Sequence, residues 1–390
     1  MIRSGRLADV AEFIRDGTHG SPPRTETGVP VLSAMNVKGG LLNFETDRYT
    51  SREEFDAFNR RLPLANGDVL LTIVGTIGRS AVVADVSPLV FQRSVAVIRP
   101  KATRLSSRFL YHVTQSAGFQ TQLDRAANKS SQAGVYLGKL GDVEIPLPPL
   151  PEQRRIAAIL DQADALRAKR REALAQLDSL TQSIFIEMFG DPSSNPMNWE
   201  VVNLESIATK ITDGEHLTPR RTNAGIKLLS ARNVRDGFLA FDDVDYIDDI
   251  EYRRISKRCN PELDDILISC SGSIGRVALV ETTEPLALVR SAALVKPDRR
   301  KIGSKFLETY LRSAHLNRLM VKSAHSSSQA NLFQGPIRSL PVYLPRLELQ
   351  GSFEKRHQAV RKIRNSHAAA ANDLDALFAS LQHRAFAGML

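Results

Sequence analysis

The alternation of apolar and polar positions changes character several times along this chain of 390 residues. Two long regions, 1–150 and 191–347, contain short apolar runs that are bounded by turn residues, as is typical of β-strands. The runs are Val69–Val74, Ser80–Ala84 and Val95–Ile98 in the first region and Ile266–Cys270, Val277–Val280 and Ala292–Val295 in the second. Helical patterns such as Phe109–Gln115 and Phe306–Leu311 lie among them. Each region is therefore predicted to be a mixed α+β domain.

A long helical pattern follows each mixed region. After the proline-rich segment Ile145–Pro151, which cannot be helix interior, residues 152–189 contain neither proline nor glycine. Pro151 suits the first helical position, and Gly190 supplies a C-terminal stop. This pattern predicts a helix about 57 Å long, at 1.5 Å per residue.

Apolar residues recur in both long helical patterns at spacings near three and four. A period of 3.5 over four or more heptads indicates the seam of a coiled coil. The predicted seam residues are Ile156, Ala163, Leu166, Arg170, Leu177 and Ile184 in the first helix and Phe353, Val360, Ile363, His367, Leu374 and Leu381 in the second. Arg170 and His367 interrupt the seam at equivalent places. They either form a polar layer near a two-fold axis or extend outward from the seam, and the sequence leaves both possibilities open.

The second half of the chain repeats the first at an offset of 197 residues. Leu32–Val37 falls on Leu229–Val234 with five identities in six, and Asp68–Arg79 falls on Asp265–Arg276 with six in twelve. A repeat this long indicates a duplicated domain rather than a solenoid. We therefore predict two related α+β domains, 1–150 and 191–347, and two long helices, 151–190 and 348–390. The simplest arrangement is pseudo-two-fold, with the helices paired antiparallel as a two-helix coiled coil that joins the domains.

Composition and charge narrow the class of protein. The chain is 42% hydrophobic and 24% charged, and it has no apolar run near the roughly 20 residues that cross a membrane. Cys259 and Cys270 are its only cysteines, too few for a disulfide framework or a four-cysteine zinc site. We therefore expect a cytoplasmic protein. A net charge of +9 and a pI near 9.6 are compatible with a polyanionic partner such as nucleic acid, although many basic proteins bind none.

No motif in the sequence carries recognisable catalytic chemistry. There is no phosphate-binding loop of the Gly-x-x-x-x-Gly-Lys-Ser/Thr type, and the eight histidines are not spaced as metal ligands. Gly75–Gly78 and Gly272–Gly275 resemble a nucleotide-clamping loop, but the flanking β-type runs favour a hairpin shaped by its glycines. We therefore expect a chain that binds a target and catalyses no reaction, with no catalytic residue and no metal site.

Comparison of the two copies supplies candidate contacts with DNA. Matching loops begin at Asp16 and Asp213, and polar residues in them differ between the copies. Such differences are expected if the two domains bind different DNA sequences. Four arginines recur near the glycine loop, where each either contacts guanine or phosphate or forms a buried ion pair. The candidates are His19, Ser21, Arg24, Lys38, Arg79, Arg93, Lys129 and Gln132 in the first copy, and Glu215, His216, Thr218, Arg220, Arg221, Arg232, Arg235, Arg276, Arg290 and Gln329 in the second. For each polar loop residue, a plain surface position is the alternative.

Three sequence elements resemble a known family. They are Pro148–Asp161, with its Pro-Leu-Pro-Glu-Gln start, Ile184–Pro192, and Pro30–Val37 with its partner Leu229–Val234. Together with the long helix, these elements are similar to the specificity subunits of type I restriction–modification systems. The resemblance covers nearly the whole chain. The second helix junction departs from the pattern, because Pro345–Gln350 keeps only proline, leucine and glutamine in register.

The resemblance implies a function in DNA recognition. Each mixed region would be a target-recognition domain for one half of a split DNA sequence, and the helices would set the spacing and dock two methyltransferase subunits. Restriction/translocase subunits would complete the complex. The chain itself would be non-catalytic and hold no cofactor. S-adenosylmethionine, and ATP and Mg for restriction, would be bound by the partner subunits.

Two other functions stay open at this point. A stand-alone regulatory DNA-binding protein would bind its site tightly without a methyltransferase. A coiled-coil scaffold between two protein-binding domains would show no steep fall of DNA affinity with added salt. An enzyme is the least favoured alternative, because no catalytic set of residues was found.

Overall fold

The structure, a computed structural model, describes residues 3–128, 133–324 and 330–390. Its contacts divide the chain into two compact units. Unit 1 comprises Met1–Glu172 and Ala369–Leu390, and unit 2 comprises Ala173–Ala368. Each unit therefore contains one copy of the repeat and a part of each long helix. The candidates Lys129, Gln132 and Gln329 lie outside the described residues.

In its described residues, the first copy of the repeat consists of short strands with α-helices placed among them. Its strands are β1 (Ser4–Arg6), β2 (Ala11–Asp16), β3 (Val29–Leu32), β4 (Val37–Lys38), β5 (Leu41–Leu42), β6 (Tyr49–Thr50), β7 (Val69–Thr72), β8 (Ser80–Val82), β9 (Val90–Phe91), β10 (Val95–Pro100) and β11 (Glu144–Pro146). Its helices are α1 (Leu7–Val10), α2 (Arg52–Arg61), α3 (Ser107–Thr114), α4 (Ala117–Ala126) and α5 (Leu137–Gly141), and the long helix α6 (Leu150–Phe189) follows.

The second copy has the same order of elements, except that a 3-10 helix, Leu204–Ile207, takes the place of α1. Its strands are β12 (Val201–Asn203), β13 (Ala208–Asp213), β14 (Ile226–Leu229), β15 (Val234–Arg235), β16 (Phe238–Leu239), β17 (Asp245–Ile247), β18 (Ile266–Ser269), β19 (Val277–Leu279), β20 (Leu286–Leu288), β21 (Ala292–Pro297) and β22 (Pro341–Tyr343). Its helices are α7 (Asp249–Ser256), α8 (Ser304–Leu311), α9 (Ala314–Ala324) and α10 (Gln334–Arg338), and the long helix α11 (Leu347–Ala387) follows.

Both copies form the same sheets. The main sheet is antiparallel with the strand order β2-β10-β7-β8 in unit 1 and β13-β21-β18-β19 in unit 2. A three-stranded sheet has the order β6-β3-β9 and β17-β14-β20, with one parallel pair in each copy. The predicted β-type runs and the two short helical patterns therefore lie in strands and helices, and the α+β fold class is confirmed.

The most strongly repeated string of the sequence serves the fold. Ser33 and Asn36 close a turn in which the Asn36 side-chain amide donates to the carbonyls of Asn43 and Glu45, at 3.0 and 2.9 Å. Asn233 makes the equivalent bonds in unit 2, to Ala240 and Asp243. Because these bonds satisfy buried polar groups, replacing either asparagine would leave carbonyls unpaired. This explains why the string persists in both copies.

The junctions into the two long helices are also built alike. Gln153 donates to the Pro148 carbonyl at 2.9 Å and accepts from the Ser106 backbone at 2.9 Å. In unit 2, Gln350 donates to the Pro345 carbonyl at 2.7 Å and accepts from the Gly303 backbone at 2.7 Å. Two of the three residues that the second junction retains, Pro345 and Gln350, therefore make its buried hydrogen bonds. Helix α6 begins at Leu150, one residue before the predicted start at Pro151.

Helices α6 and α11 pack antiparallel within each unit. In unit 1, Arg155 donates to the carbonyl of Leu390 at 3.0 Å, and Arg167 bonds Asp375 at 2.5 Å. Early residues of α6 thus face late residues of α11. In unit 2, Arg364 bonds Asp178 at 2.5 Å. The two ion pairs are equivalent at the offset of 197, as expected for a duplicated pair of helices.

The buried face of each long helix follows two lines of residues. The first line contains Ile156, Ala163, Arg170, Leu177 and Ile184 in α6 and Phe353, Val360, His367, Leu374 and Leu381 in α11, all buried or half-buried. Leu166 and Ile363 are 55% and 49% exposed, which corrects their placement in the predicted seam. The second line passes through Leu160, Arg167 and Leu174 in α6, so that Arg167, and not the preceding Leu166, is on the buried face. The error arises because Arg167 is polar, whereas its neighbour Leu166 is apolar.

Candidate nucleic-acid interface

The glycine loops that recur in both copies are hairpin turns. Gly75 and Gly78 have positive φ angles of 78° and 90° and connect the antiparallel strands β7 and β8. Gln120 of α4 donates to the Gly78 carbonyl at 2.9 Å, and a Cβ at Gly78 would lie 2.2 Å from the Gln120 side-chain oxygen. In unit 2, Asn317 of α9 holds Gly275 in the same way, at 3.0 Å. The interpretation of these loops as glycine-shaped hairpins is confirmed.

Four arginines flank the glycine hairpins with their guanidinium groups unpaired. The side chains of Arg79, Arg93 and Arg290 are exposed, and that of Arg276 is half-buried. Among residues 3–128, 133–324 and 330–390, none of the four side chains has an acidic partner or a side-chain hydrogen bond. The buried ion pair that was the alternative for these positions is therefore absent from the described contacts. Each guanidinium keeps its planar set of donors available for an anion.

A cleft lies beside the hairpin of unit 1. It has a volume of about 430 Å³, and Asp16, His19, Arg93 and Tyr136 are among the residues that line it. Asp16 is at the end of β2, and its carboxylate bonds the imidazole Nε2 of His19 at 3.1 Å. Since His19 is three residues after Asp16, the turn Asp16-Gly17-Thr18-His19 suffices to bring the two groups together.

Unit 2 has a cleft at the equivalent place. Its volume is about 470 Å³, and its lining includes Asp213, His216, Arg290 and Phe333. The carboxylate of Asp213 bonds His216 Nε2 at 2.7 Å. It also accepts a hydrogen bond from Gln334 at 2.6 Å. The frame of aspartate, histidine, arginine and an aromatic residue is therefore the same in both clefts.

A second arginine approaches each of these loops from the end of a helix. Arg61, the last residue of α2, donates to the carbonyls of Asp16 and Gly17, at 3.1 and 2.6 Å. Its equivalent Arg258 instead bonds the carboxylate of Asp213 and lies 3.1 Å from His216 Nε2. The loop is thus fixed in both copies, through its backbone in one and through its acidic side chain in the other.

The remaining candidates of the first copy are on the surface. Arg24 is exposed and lies 3.2 Å from the carboxylate of Asp47. Ser21 and Lys38 are exposed as well, the first in the loop that follows β2 and the second at the end of β4. An exposed pair such as Arg24 with Asp47 contributes little to stability, so its arginine can exchange the carboxylate for a phosphate at small cost.

Candidate arginines of the second copy are neutralised by aspartates. Arg220 bonds Asp248, and Arg221 and Arg232 bond Asp245 at 3.0 and 3.2 Å. The equivalent of Asp245 in the first copy is Arg48, and the equivalent of Arg232 is Met35. The loops around this surface therefore differ in charge between the copies, as expected of two readers of different sequences. Thr218 and Arg235 are exposed.

Glu215 points inward rather than toward solvent. Its carboxylate bonds Arg254 at 3.0 Å and accepts a hydrogen bond from the Leu217 backbone at 2.9 Å, and its side chain is 11% exposed. A role in DNA contact stays a prediction for this residue. The structure gives it a part in holding the loop.

Residues 3–176 match the family described as the Type I restriction modification DNA specificity domain. The type I restriction enzyme EcoBI specificity subunit of Escherichia coli is 24% identical over 319 residues, which cover 73% of this chain and 63% of that subunit. The EcoKI specificity subunit of E. coli strain K12 is 22% identical over 318 residues, which cover 75% of this chain and 68% of that subunit. The S subunit of a type I restriction–modification system from M. genitalium superposes with a TM-score of 0.59 at 16% identity, covering 99% of this chain and 96% of that one.

Residues 3–176 therefore belong to the type I DNA specificity family. The resemblance found in the sequence is thereby confirmed. The alignments to the two E. coli subunits are longer than one repeat, so they extend beyond a single copy of it. This chain spans slightly less than two thirds of the EcoBI subunit. The expectation of a non-catalytic specificity subunit agrees with the names of these relatives.

The specificity domain contains functional candidates that sequence reasoning missed. Arg61 and Arg258 are separated from their loops by about 45 residues of chain, and Tyr136 and Phe333 by about 120. A comparison of the two copies could have found them, because each pair is equivalent at the offset of 197. The sequence does not show that these residues lie near Asp16 and Asp213, because their proximity depends on the tertiary fold.

The two thiols, both in the second copy of the repeat, are not available for chemistry. Burial raises the pKa of Cys259 and of Cys270 to about 12, so both stay protonated at neutral pH. No group of histidine, cysteine, aspartate and glutamate side chains in the described ranges is arranged to hold a metal ion. In the same ranges, no helix is both long and apolar enough to span a membrane.

Proposed function

We propose that this chain is the DNA-sequence-specificity subunit of a type I restriction–modification complex. Each copy of the specificity domain reads one half of a split target in double-stranded DNA. The observation that carries the proposal is the presence of the same domain twice in one chain, with one copy matched to the DNA specificity family. Two modules on one chain bind together more tightly than either alone, because the second contact is intramolecular.

The surface chemistry of both copies supports contact with DNA. The guanidinium groups of Arg79, Arg93 and Arg290 are exposed and lack acidic partners among the described residues. Such groups bind phosphates or the O6 and N7 acceptors of guanine. The differing charges around Met35 and Arg232 support two different half-sites rather than a palindrome. The other residues that the sequence predicts to contact DNA remain part of this proposal.

The long helices would set the spacing and receive the partner subunits. We retain the division into recognition domains 1–150 and 191–347 and spacer helices 151–190 and 348–390 for this purpose. A continuous helix has a fixed rise of 1.5 Å per residue, so a paired helix is a suitable ruler. Two DNA-methyltransferase subunits would dock on the chain, and restriction/translocase subunits would join them. S-adenosylmethionine, ATP and Mg would act in those partners, with no cofactor in this chain, which would work in the cytoplasm.

Methylation mapping tests the proposal directly. Genomic DNA from a host that carries this chain and its partner subunits is sequenced for modified bases, next to a host that lacks only this chain. We expect one split motif with two different half-sites that disappears with the chain. If every methylated motif persists in the host that lacks this chain, the proposal is contradicted. A palindromic motif would contradict the part that assigns different half-sites.

A binding assay separates the proposal from its two rivals. The affinity of the purified chain for its motif, with and without the methyltransferase subunits, is measured between 50 and about 200 mM salt, the range over which phosphate contacts weaken steeply. We expect tight, salt-dependent binding by the complex. Equally tight binding by the chain alone would favour a stand-alone regulator. Affinity that is unaffected by salt would favour a protein scaffold.

A further inference from the structure

Two equivalent clefts are lined by Asp16, His19, Arg93 and Tyr136 in unit 1 and by their counterparts in unit 2. We call them the paired clefts. Volumes of about 430 and 470 Å³ are within the range of small-ligand sites. A cleft that recurs at one place in two diverged copies, with its charged groups retained, is not a chance gap in the packing.

The histidine of each cleft is held by a carboxylate. Asp16 and Asp213 bond the Nε2 atoms of His19 and His216, while the histidine side chains remain 71% and 50% exposed. This bond fixes the orientation of the ring and leaves Nδ1 for a ligand, and in the protonated ring Nδ1–H donates to a phosphate oxygen. The aspartates are thus positioning residues. They are only 14% and 19% exposed, so the histidines and arginines present the accessible polar atoms.

An exposed aromatic ring lies at each cleft. Tyr136 is 68% exposed and Phe333 is 56% exposed, and each lines its cleft together with an arginine that has no acidic partner in the described chain. Single exposed apolar residues are common on protein surfaces. An aromatic ring, an arginine and a histidine in one cleft, repeated at equivalent positions, form instead a set that suits a nucleotide: a flat face for a base and donors for a phosphate.

We propose that each of the paired clefts binds one unstacked nucleotide of the DNA, a role that rests on the proposed function. The aromatic ring stacks on the base, and the arginine and histidine bind the adjacent phosphate. Both faces of a base in a duplex are covered by its neighbours, so the ring can stack on it only when the base has left the stack. A methyltransferase takes the base that it modifies into its own pocket, which leaves the opposite base unpaired and able to leave the stack.

The site tolerates any sequence. Its frame is the same in two domains that are proposed to read different half-sites, and every base has a face on which an aromatic ring can stack. Stacking energies of this kind correspond to a loss of affinity of about 5-fold to 150-fold when the ring is removed. The paired clefts would therefore contribute affinity and hold the distorted strand, while neighbouring loops read the bases.

A matched pair of phenylalanines tests this role in the assembled complex with its methyltransferase subunits. Phe333 and Phe238 are in the same unit and are both 56% exposed, but only Phe333 lines the cleft. Affinity is measured for Phe333→Ala, Phe238→Ala and Phe333→Tyr, which copies the residue of the other cleft. The DNA probes are the mapped duplex and duplexes with one mismatch placed in turn along the half-site, since a mismatch weakens stacking in advance.

We expect Phe333→Ala to bind the mapped duplex about 10-fold more weakly, within the range for stacked bases. The variant should also lose the increase in affinity that a mismatch in the duplex gives to the wild-type complex. Phe238→Ala and Phe333→Tyr should retain both properties, and all variants should methylate the same sequence. Unchanged affinity in Phe333→Ala, an equal loss in Phe238→Ala, or a changed methylated sequence would overturn the inference. If the wild-type complex shows no sequence preference at all, the proposed function fails instead.

Discussion

Equivalent residues in the two copies can have very different surroundings, as the second buried line of the long helices shows. Leu160 of α6 is fully buried, and its equivalent in α11 is His357. Burial lowers the pKa of His357 to about 3, helped by the nearby positive charges of Lys305, Arg361 and Arg312. The ring is therefore neutral in the folded protein at neutral pH. A position that is apolar in one copy is thus titratable in the other.

This difference predicts that stability depends on acidity through His357. A histidine in the unfolded chain has a pKa near 6.5. Between about pH 6.5 and 3, His357 is therefore protonated in the unfolded state and neutral in the folded state. The free energy of unfolding should fall as the pH drops below about 6.5, by at most about 1.4 kcal/mol per pH unit from this residue. Burial lowers the pKa of His112 in unit 1 as well, which adds a slope of the same sign. His357→Leu, which copies Leu160, should therefore give a shallower slope.

Denaturant unfolding at a series of pH values from 7.5 to about 4.5 measures this slope, over the interval in which the two states bind different numbers of protons. His383→Leu is the matched control, because His383 is an exposed histidine of the same helix. The control should retain the wild-type slope. A His357→Leu protein with the slope of the wild type would show that this histidine does not titrate as its surroundings indicate.

At the scale of elements, the register of the long helices decides which residues hold each unit together. Leu160 is in the main core of unit 1, whereas Leu166 is 55% exposed. Arg167 occupies the buried line in place of Leu166. Its guanidinium lies 4.3 Å from the ring centre of Phe378 and bonds Asp375. A polar residue can therefore take a seam position when its stem is covered and its charge is paired.

Two leucine substitutions test this register. Leu160→Ala should cost about 2–5 kcal/mol of unfolding free energy, because it leaves a cavity in a closed core. Leu166→Ala, the same chemical change on the exposed face, should cost about 0.5 kcal/mol or less. Urea denaturation of both variants measures the two costs. A larger loss for Leu166→Ala than for Leu160→Ala would restore the seam that was predicted from apolar spacing.

The elements show what apolar patterns could and could not predict. The strands β7, β10, β18 and β21 were predictable because nearly every residue in their apolar runs is buried, and α6 because no proline or glycine interrupts residues 152–189. The second line of the seam was not, because spacing alone cannot show that Phe378 and Asp375 cover Arg167. In the candidate interface, the loop that contains Asp16 and His19 was predicted from the comparison of the two copies. These residues are only three apart in the sequence, so their contact needs no tertiary information. Tyr136 was missed, since only the folded chain brings it to that loop.

At the scale of the whole molecule, duplication links the two α+β domains to one pair of helices. Each unit contains residues of both α6 and α11, and the ion pairs Arg167–Asp375 and Arg364–Asp178 repeat the same contact. A change in helix length therefore alters the chain between two domains that each keep their own core. The proposed role as a ruler depends on this separation of parts, because a domain that misfolded with the helix would lose recognition rather than spacing.

Insertion of four residues into α6 near residue 172, where the chain passes from unit 1 to unit 2, tests the ruler. At 1.5 Å and 100° per residue, the helix beyond the insertion moves by about 6 Å, close to two base-pair steps, and turns by about a ninth of a turn. We expect methylation mapping to find a longer spacer between two unaltered half-sites. A second variant with a matching insertion in α11 should behave alike, and four substitutions without insertion should leave the motif unchanged. An unchanged spacer in active insertion variants would contradict the ruler, whereas altered half-site bases would show that the helices also position the reading loops.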